Sequence, residues 1–297
     1  MRNKCGPSRV LSTIFISTLI LQCQLAKADD FASFESQFKH DNNVGNSRVR
    51  YAVGDTVFTN TLNLGQRLSI GEDPYFLSFA GKLSGSSYNQ LTGLGHRDVG
   101  FQFDLQKKWG LGPYAPIFGA QLAYERQLFQ QTDRTQNIQR FELRASKRVL
   151  DSLNLSARWS STQHHPSDNT SVEEDHPGNV YETRYRNWNF SADYTVFGDH
   201  TISLQYGHRN GDLVVTTIAD SAAIYNVAKA IRPDPSFGPD RDAYRLEGTI
   251  KTWGLSYTLP ITRQWNLQLD AQQHDSRVSN SVSYSRKVIG LAAHYQF

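Results

Sequence analysis

From about residue 60 to the C-terminus, apolar and polar residues take turns along this chain. A period of two marks strands with two unlike faces, whereas a helix repeats every 3.6 residues. The last segment shows it most clearly. Ile289, Leu291, Ala293, Tyr295 and Phe297 share one face, and Gly290, Ala292, His294 and Gln296 share the other. The pattern recurs through Leu62 to Ile70, Leu77 to Leu83, Val99 to Leu105, Phe118 to Tyr124, Phe141 to Ala145 and Leu153 to Trp159. It continues through Trp188 to Val196, Ile202 to Tyr206, Trp253 to Leu259 and Trp265 to Ala271. The segments near Phe34 and Phe38 and in the tenth strand are weaker.

The second face separates two kinds of β-protein. In a soluble sandwich the apolar face meets another sheet and the polar face meets water. Here the polar face is rich in Gly, Ser, Asn, Gln and charge, and the strands are long. That combination predicts a closed antiparallel transmembrane β-barrel, with the apolar face toward lipid and the polar face toward the lumen. Closure is obligatory, because an open strand edge in hydrocarbon would strand its backbone donors and acceptors.

Turn signals set the count. Short ones fall at 71–74, 110–115, 151–152, 198–200 and 260–264, and longer polar stretches at 41–54, 88–97, 129–138, 162–180, 210–242 and 275–282. Outer-membrane barrels have short periplasmic turns and long extracellular loops. Five turns and six loops predict about twelve strands, with both termini in the periplasm. Tyr75, Trp109, Tyr114, Tyr257, Trp265, Tyr295 and Phe297 gather at the periplasmic ends, as an interfacial aromatic girdle would.

The N-terminus carries different information. Arg2, Lys4 and Arg9 precede an apolar run from Leu11 to Leu21, and Ala26-Lys27-Ala28 follows. That order predicts a signal peptide over residues 1–28, cleaved to leave a barrel domain of residues 29–297. The run is too short for a spanning helix. Cleavage would remove Cys5 and Cys23, the only cysteines, and four of the 31 basic residues but none of the 28 acidic ones. The formal net charge of +3 then becomes −1, so the whole-chain basicity is no evidence for nucleic-acid binding. No disulfide can brace the mature chain, which leaves closure of the sheet to do so.

The final strand, Val288 to Phe297, ends in Tyr295-Gln296-Phe297. It resembles the terminal strand of bacterial outer-membrane β-barrel proteins of the porin-like class. The resemblance implies an outer-membrane location in a Gram-negative cell, contact with outer-membrane lipid and lipopolysaccharide, and recognition of Tyr295 and Phe297 by the barrel assembly machinery. It defines no narrower family.

Function then rests on lumen and loops. The parity of the strands points Arg67, Lys82, Glu125, Arg140, Glu142, Arg144, Arg148, Arg158, Asp193 and Asp270 inward. Arg140, Arg144 and Arg148 form a basic row on the sixth strand. Counting about residue 133 sets Glu125 opposite Glu142, and Arg158 falls toward Ser146, between Arg144 and Arg148. Arg148 and Arg158 then have no acidic partner on the adjacent strands. Such a row reads as a track for anions or as a bracing ion-pair network, and cross-strand pairing favours the brace. The stretch 210–242 is long for a structureless connection. Ile224, Val227, Ala228 and Ile231 follow a helical period behind a cap at Asp220 or Ser221, and Pro233, Pro235 and Pro239 predict an extended return. It would form either a lid over the pore or a helix on the rim.

The expected function is a narrow channel for small polar or anionic solutes, such as sugar acids or oligosaccharides. One alternative is a closed structural or assembly barrel that acts through its loops. Another is an outer-membrane lipid hydrolase, because His208-Arg209-Asn210-Gly211 is faintly similar to the His-x-Ser-Asn-Gly of outer-membrane phospholipases. The nucleophilic serine is absent at that spacing, so no catalytic residue is assigned. His164-His165 and Glu173 to His176 could hold a cation, but solvated loop polarity explains them better. No metal site, cofactor or nucleic-acid partner is expected.

Overall fold

The structure, a computed structural model, describes residues 27–70, 75–168, 175–218, 222–278 and 282–297. Most of the predicted signal peptide therefore lies outside the described residues, as do Asp220 and Ser221. Thirteen strands are present among the described residues: β1 (Lys27–Asp41), β2 (Asp55–Ile70), β3 (Tyr75–Tyr88), β4 (His96–Lys108), β5 (Ile117–Phe129), β6 (Gln136–Leu150), β7 (Leu153–Pro166), β8 (Thr183–Thr195), β9 (Thr201–Ile218), β10 (Ala230–Pro233), β11 (Arg241–Pro260), β12 (Trp265–Val278) and β13 (Ser283–Gln296). Twelve of them form a closed antiparallel barrel of adjacent neighbours, and β10 is a short addition on β11. The seam joins β1 to β13, from Ser33 opposite Gln296 to Asp41 opposite Val288. No helix among the described residues is long and apolar enough to cross a membrane.

Alternation is expressed as the pattern predicts. Leu64, Phe79, Phe101, Leu122, Leu143, Phe190, Leu204, Leu255, Leu269 and Leu291 are exposed around the outside. So many large apolar side chains facing out make sense only against hydrocarbon. Leu267 shares the outer face with Leu269, and Asp270 between the outward positions is buried.

The loops are L1 (42–54), L2 (89–95), L3 (130–135), L4 (167–182), L5 (219–240) and L6 (279–282). Their described parts all lie at one end of the barrel, and the described periplasmic turns lie at the other. β9 and β11 overshoot their neighbours. They pair with each other up to Ile218 and Arg241, whereas β8 reaches only Gly211 on β9, and β12 only Gly248 on β11. Residues 212–218 and 241–247 thus stand clear of the wall as a two-stranded ribbon, which β10 widens to three strands. Much of the stretch 210–242 is therefore strand rather than loop, because Leu213 and Val215 keep alternating and find Leu246 and Tyr244 across the pair.

Gly211 and Gly248 face each other where the ribbon leaves the wall. Gly211 has φ +133°, and a Cβ there would lie 2.4 Å from the carbonyl oxygen of Arg184. At Gly248 a Cβ would lie 2.4 Å from the carbonyl oxygen of Arg277. A side chain at either position would clash with the neighbouring backbone where the ribbon turns off the wall.

The main apolar core sits at this outer end. Leu213, Val215, Tyr244 and Leu246 of the ribbon pack with Ile224 and Ile231 of the L5 region and with Val278, Val282 and Tyr284 beside L6. A second cluster joins Val180 and Tyr181 of L4 to Ala230 and Ala243, with Val214 against it. Both faces of the ribbon are thus covered. The predicted helix shrinks to one turn, Ala222–Tyr225. Ile231 leaves it to pair with Tyr244, since a place in the sheet satisfies its backbone and its β-branched side chain together.

Candidate functional site

The lumen has two levels, a charged waist within the barrel and a covered mouth at the outer end. The register puts Arg67, Lys82, Glu125, Arg140, Glu142, Arg144, Arg148, Arg158, Asp193 and Asp270 on the inner face. Their pairing differs from the sequence expectation. Glu125 stands opposite Ile138 rather than Glu142, and Glu142 opposite Gln121. Strand β6 resumes at Gln136 after a tight turn at Thr132–Arg134, so the hairpin turns earlier than the polar stretch suggests. Arg158 stands directly opposite Arg144 rather than Ser146, because a register irregularity between Arg148 and Leu150 shifts the pairing.

Two arginines face to face repel, and each turns to a different carboxylate. Arg158 Nε lies 3.0 Å from Glu142 Oε1, so it does have an acidic partner on the adjacent strand. Arg144 pairs with Asp104, two strands away on β4. Its side chain crosses Gly119 of β5, where a Cβ would lie 2.7 Å from Arg144 Nε. The same device operates next door. Glu125 crosses Gly100 of β4, which has room for only a hydrogen there, and accepts from Lys82 Nζ of β3 at 2.6 Å. Asp41 and Arg286 (2.8 Å) and Glu35 and His294 (3.3 Å) bridge the seam. Each of these five pairs links a strand to its neighbour or next neighbour, so the charges run around the wall. Arg140, Arg148 and Arg67 have no carboxylate partner among the described residues; Arg67 lies 5.9 Å from the ring of Phe76. Asp193 accepts from Asn154 at 3.4 Å. Asp270 is folded over Gly290, and its Oδ2 has no hydrogen-bond partner.

The mouth was less visible in the sequence. Six loops ring it, and L2 lies opposite L5. Ser236 of L5 nonetheless sits against Gly93 of L2, where a Cβ would come within 2.6 Å of its Oγ. L5 therefore spans the mouth. It makes contacts on the way with the remaining loops. Phe237 lies against Gly45 of L1, His176 of L4 lies 2.9 Å from the carbonyl oxygen of Ala228, and Ile224 packs beside L6.

L3 and the L5 region form a double clasp, Asp133 with Arg232 (2.6 Å) and Arg134 with Asp234. Asp234 is wholly buried and also accepts from Thr216 Oγ1 at 2.8 Å. The Arg134 guanidinium lies 4.6 Å from the ring centroid of Tyr181. Burial pushes the Tyr181 hydroxyl up to about 12, against the opposing pull of Arg134. The sequence carried one sign of this clasp, an acidic-basic pair in each of two loops. Loops have no period to show which charges meet.

The other chemistries have no assembled site. His208 faces outward, opposite Trp188 and Lys251 rather than a serine. His164 and His165 point to opposite faces of β7, and Glu173 and Glu174 lie outside the described residues. Among the described residues, no three His, Cys, Asp or Glu side chains gather where a metal could bind.

No protein-family model matches the sequence, and no curated protein is similar to it in sequence. Solved structures are similar in fold. An outer-membrane channel of the COG4313 group from Pseudomonas putida F1 superposes with TM-score 0.53 at 11% identity, covering 90% of this chain and 95% of that one. The NanC porin gives 0.48 at 9% identity over 88% and 98%. The KdgM porin in complex with disordered oligogalacturonate gives 0.43 at 12% over 89% and 99%. The chain is an outer-membrane β-barrel with a channel-like fold.

Proposed function

We propose that this barrel is a narrow passive channel for small polar or anionic solutes, with the L5 cap setting access from outside. The observation that carries this reading is the course of the ion pairs. A barrel closed by its side chains would bridge its lumen from wall to wall. Here glycines let Arg144 and Glu125 lie flat along the wall, which keeps bulk away from the axis. The free guanidinium groups of Arg140, Arg148 and Arg67 favour anions over cations, because charge in a passage with low-dielectric walls is weakly screened. This revises the basic-row reading, since Arg144 and Arg158 are engaged and Arg140 and Arg148 carry the preference.

The test is conductance of the purified protein in planar bilayers, with reversal potentials under a salt gradient. Discrete channels with a modest anion preference are expected. Silence of both the native protein and a cap-released Asp234→Asn variant would overturn the reading. It would also favour the second one, a closed barrel working through its loops, for which the burial of the ribbon on both faces speaks. Catalysis has no support in the register around His208.

A further inference from the structure

The outer wall carries a feature that neither the lumen nor the cap uses. From the extracellular end downward, the outward positions of β8 are Arg184, Arg186, Trp188 and Phe190, and all four are exposed. Arg184 and Arg186 are the second and fourth residues of the strand, next to L4, where the apolar belt meets the headgroup layer. The rings of Trp188 and Phe190 lie parallel within 5°, with centroids 6.3 Å apart. Trp159 of β7 extends the platform, 6.4 Å from Trp188. Arg184 Nη2 donates to a neutral group, Gln163 Oε1, at 3.0 Å, and Arg186 has no ion-pair partner among the described residues.

A guanidinium on the lipid side of a barrel is poorly placed without a counter-charge. Among the described residues no carboxylate pairs with either guanidinium, which leaves both suited to a counter-charge from the surroundings. Guanidinium groups pair with phosphate through two parallel hydrogen bonds, and a flat aromatic platform one step deeper suits sugar rings and acyl chains. The external leaflet of an outer membrane offers a molecule with those parts in that order. We infer that the β7–β8 face is a binding site for the bisphosphorylated lipid A part of lipopolysaccharide, with Arg184 and Arg186 on a phosphate and Trp159, Trp188 and Phe190 along the glycolipid body. The site depends on orientation in the membrane and is independent of whether the barrel conducts.

Native mass spectrometry of the detergent-purified protein tests it with three probes: bisphosphorylated lipid A, lipid A stripped of its phosphates, and phosphatidylglycerol. The native protein should retain the first far better than the other two. Arg184→Gln with Arg186→Gln should lose that retention at least tenfold in apparent affinity, while Arg263→Gln in a periplasmic turn should keep it. Heat-modifiable gel mobility reports whether each variant is a folded barrel. Should the double variant fail to assemble, Arg186→Gln alone is measured in its place. Undiminished lipid A retention in the arginine variant would overturn the assignment. Equal retention of phosphatidylglycerol or phosphate-free lipid A by the native protein would overturn it as well.

Discussion

The waist and the mouth of this barrel use the same side chains to opposite ends. At the waist, Arg144 reaches Asp104 and Glu125 reaches Lys82 by lying over glycines, so paired charge stays on the wall. At the mouth, Arg134 and Asp234 meet in a dry position within a cap that crosses the opening. These waist pairs link strands two apart, which the sheet already joins through the strand between them. The mouth pairs join L3 to the L5 region, which no strand ladder connects. An ion pair is thus a poor indicator of closure by itself. What decides is whether glycine beneath it leaves room for the side chain to lie down.

The largest effect is expected at the mouth. Asp234→Asn removes the buried charge that balances the partly covered Arg134, and breaking a buried pair costs up to about 3–5 kcal/mol. The L5 cap should undock, with L5 becoming protease-sensitive in intact outer membranes and conductance rising. Unchanged protease resistance would mean that the apolar ribbon holds the cap without the clasp.

At the waist, Gly119→Val should do the reverse. Its side chain would occupy the space of Arg144 and push the guanidinium toward the axis, so conductance should fall severalfold while the barrel still forms. Equal currents would place Arg144 away from the solute path.

A smaller contrast lies among the arginines. Arg158→Ala should lower the midpoint of heat modifiability by releasing Glu142. Arg140→Ala with Arg148→Ala should leave that midpoint alone and shift the reversal potential toward zero preference. The same response in both variants would erase the distinction between paired and free cations.

The smallest effect concerns alkaline pH. The Tyr181 hydroxyl is held up to about 12 by burial, above the ordinary value near 10. Its contribution to docking is complete below pH 10 and fades as pH rises toward 12, because the undocked loop ionises first. Tyrosinate absorbance should show a late-titrating group that Tyr181→Phe removes. Titration of Tyr181 together with exposed tyrosines would show that L4 is not packed against the cap.

The sequence disclosed what obeys a period. Parity assigned Leu269 to lipid and Asp270 to the lumen, and the spacing of turns yielded twelve barrel strands. Register was harder, since one residue of irregularity near Arg148 or an early turn at Thr132 moves every cross-strand partner. The turn explains why Glu125 faces Ile138 rather than Glu142. Gly100 and Gly119 look like ordinary strand breakers until a neighbour's side chain is seen to lie on them. The clasp between residues 133–134 and 232–234 lies in segments with no repeating pattern at all.

The cap is stitched by contacts remote in sequence. Arg134 and Asp234 are 100 residues apart, Asn46 and the Val214 carbonyl 168, and Arg241 and the Tyr51 carbonyl 190. Each adjacent-strand hairpin is local by comparison, and local contacts form first. During assembly the hairpins therefore precede the cap, while the β1–β13 seam joins residues farther apart still, such as Ser33 and Gln296. The ribbon that leaves the wall at Gly211 and Gly248 thus meets loops from the first half of the chain, and the mouth is covered only after the hairpins between them have formed.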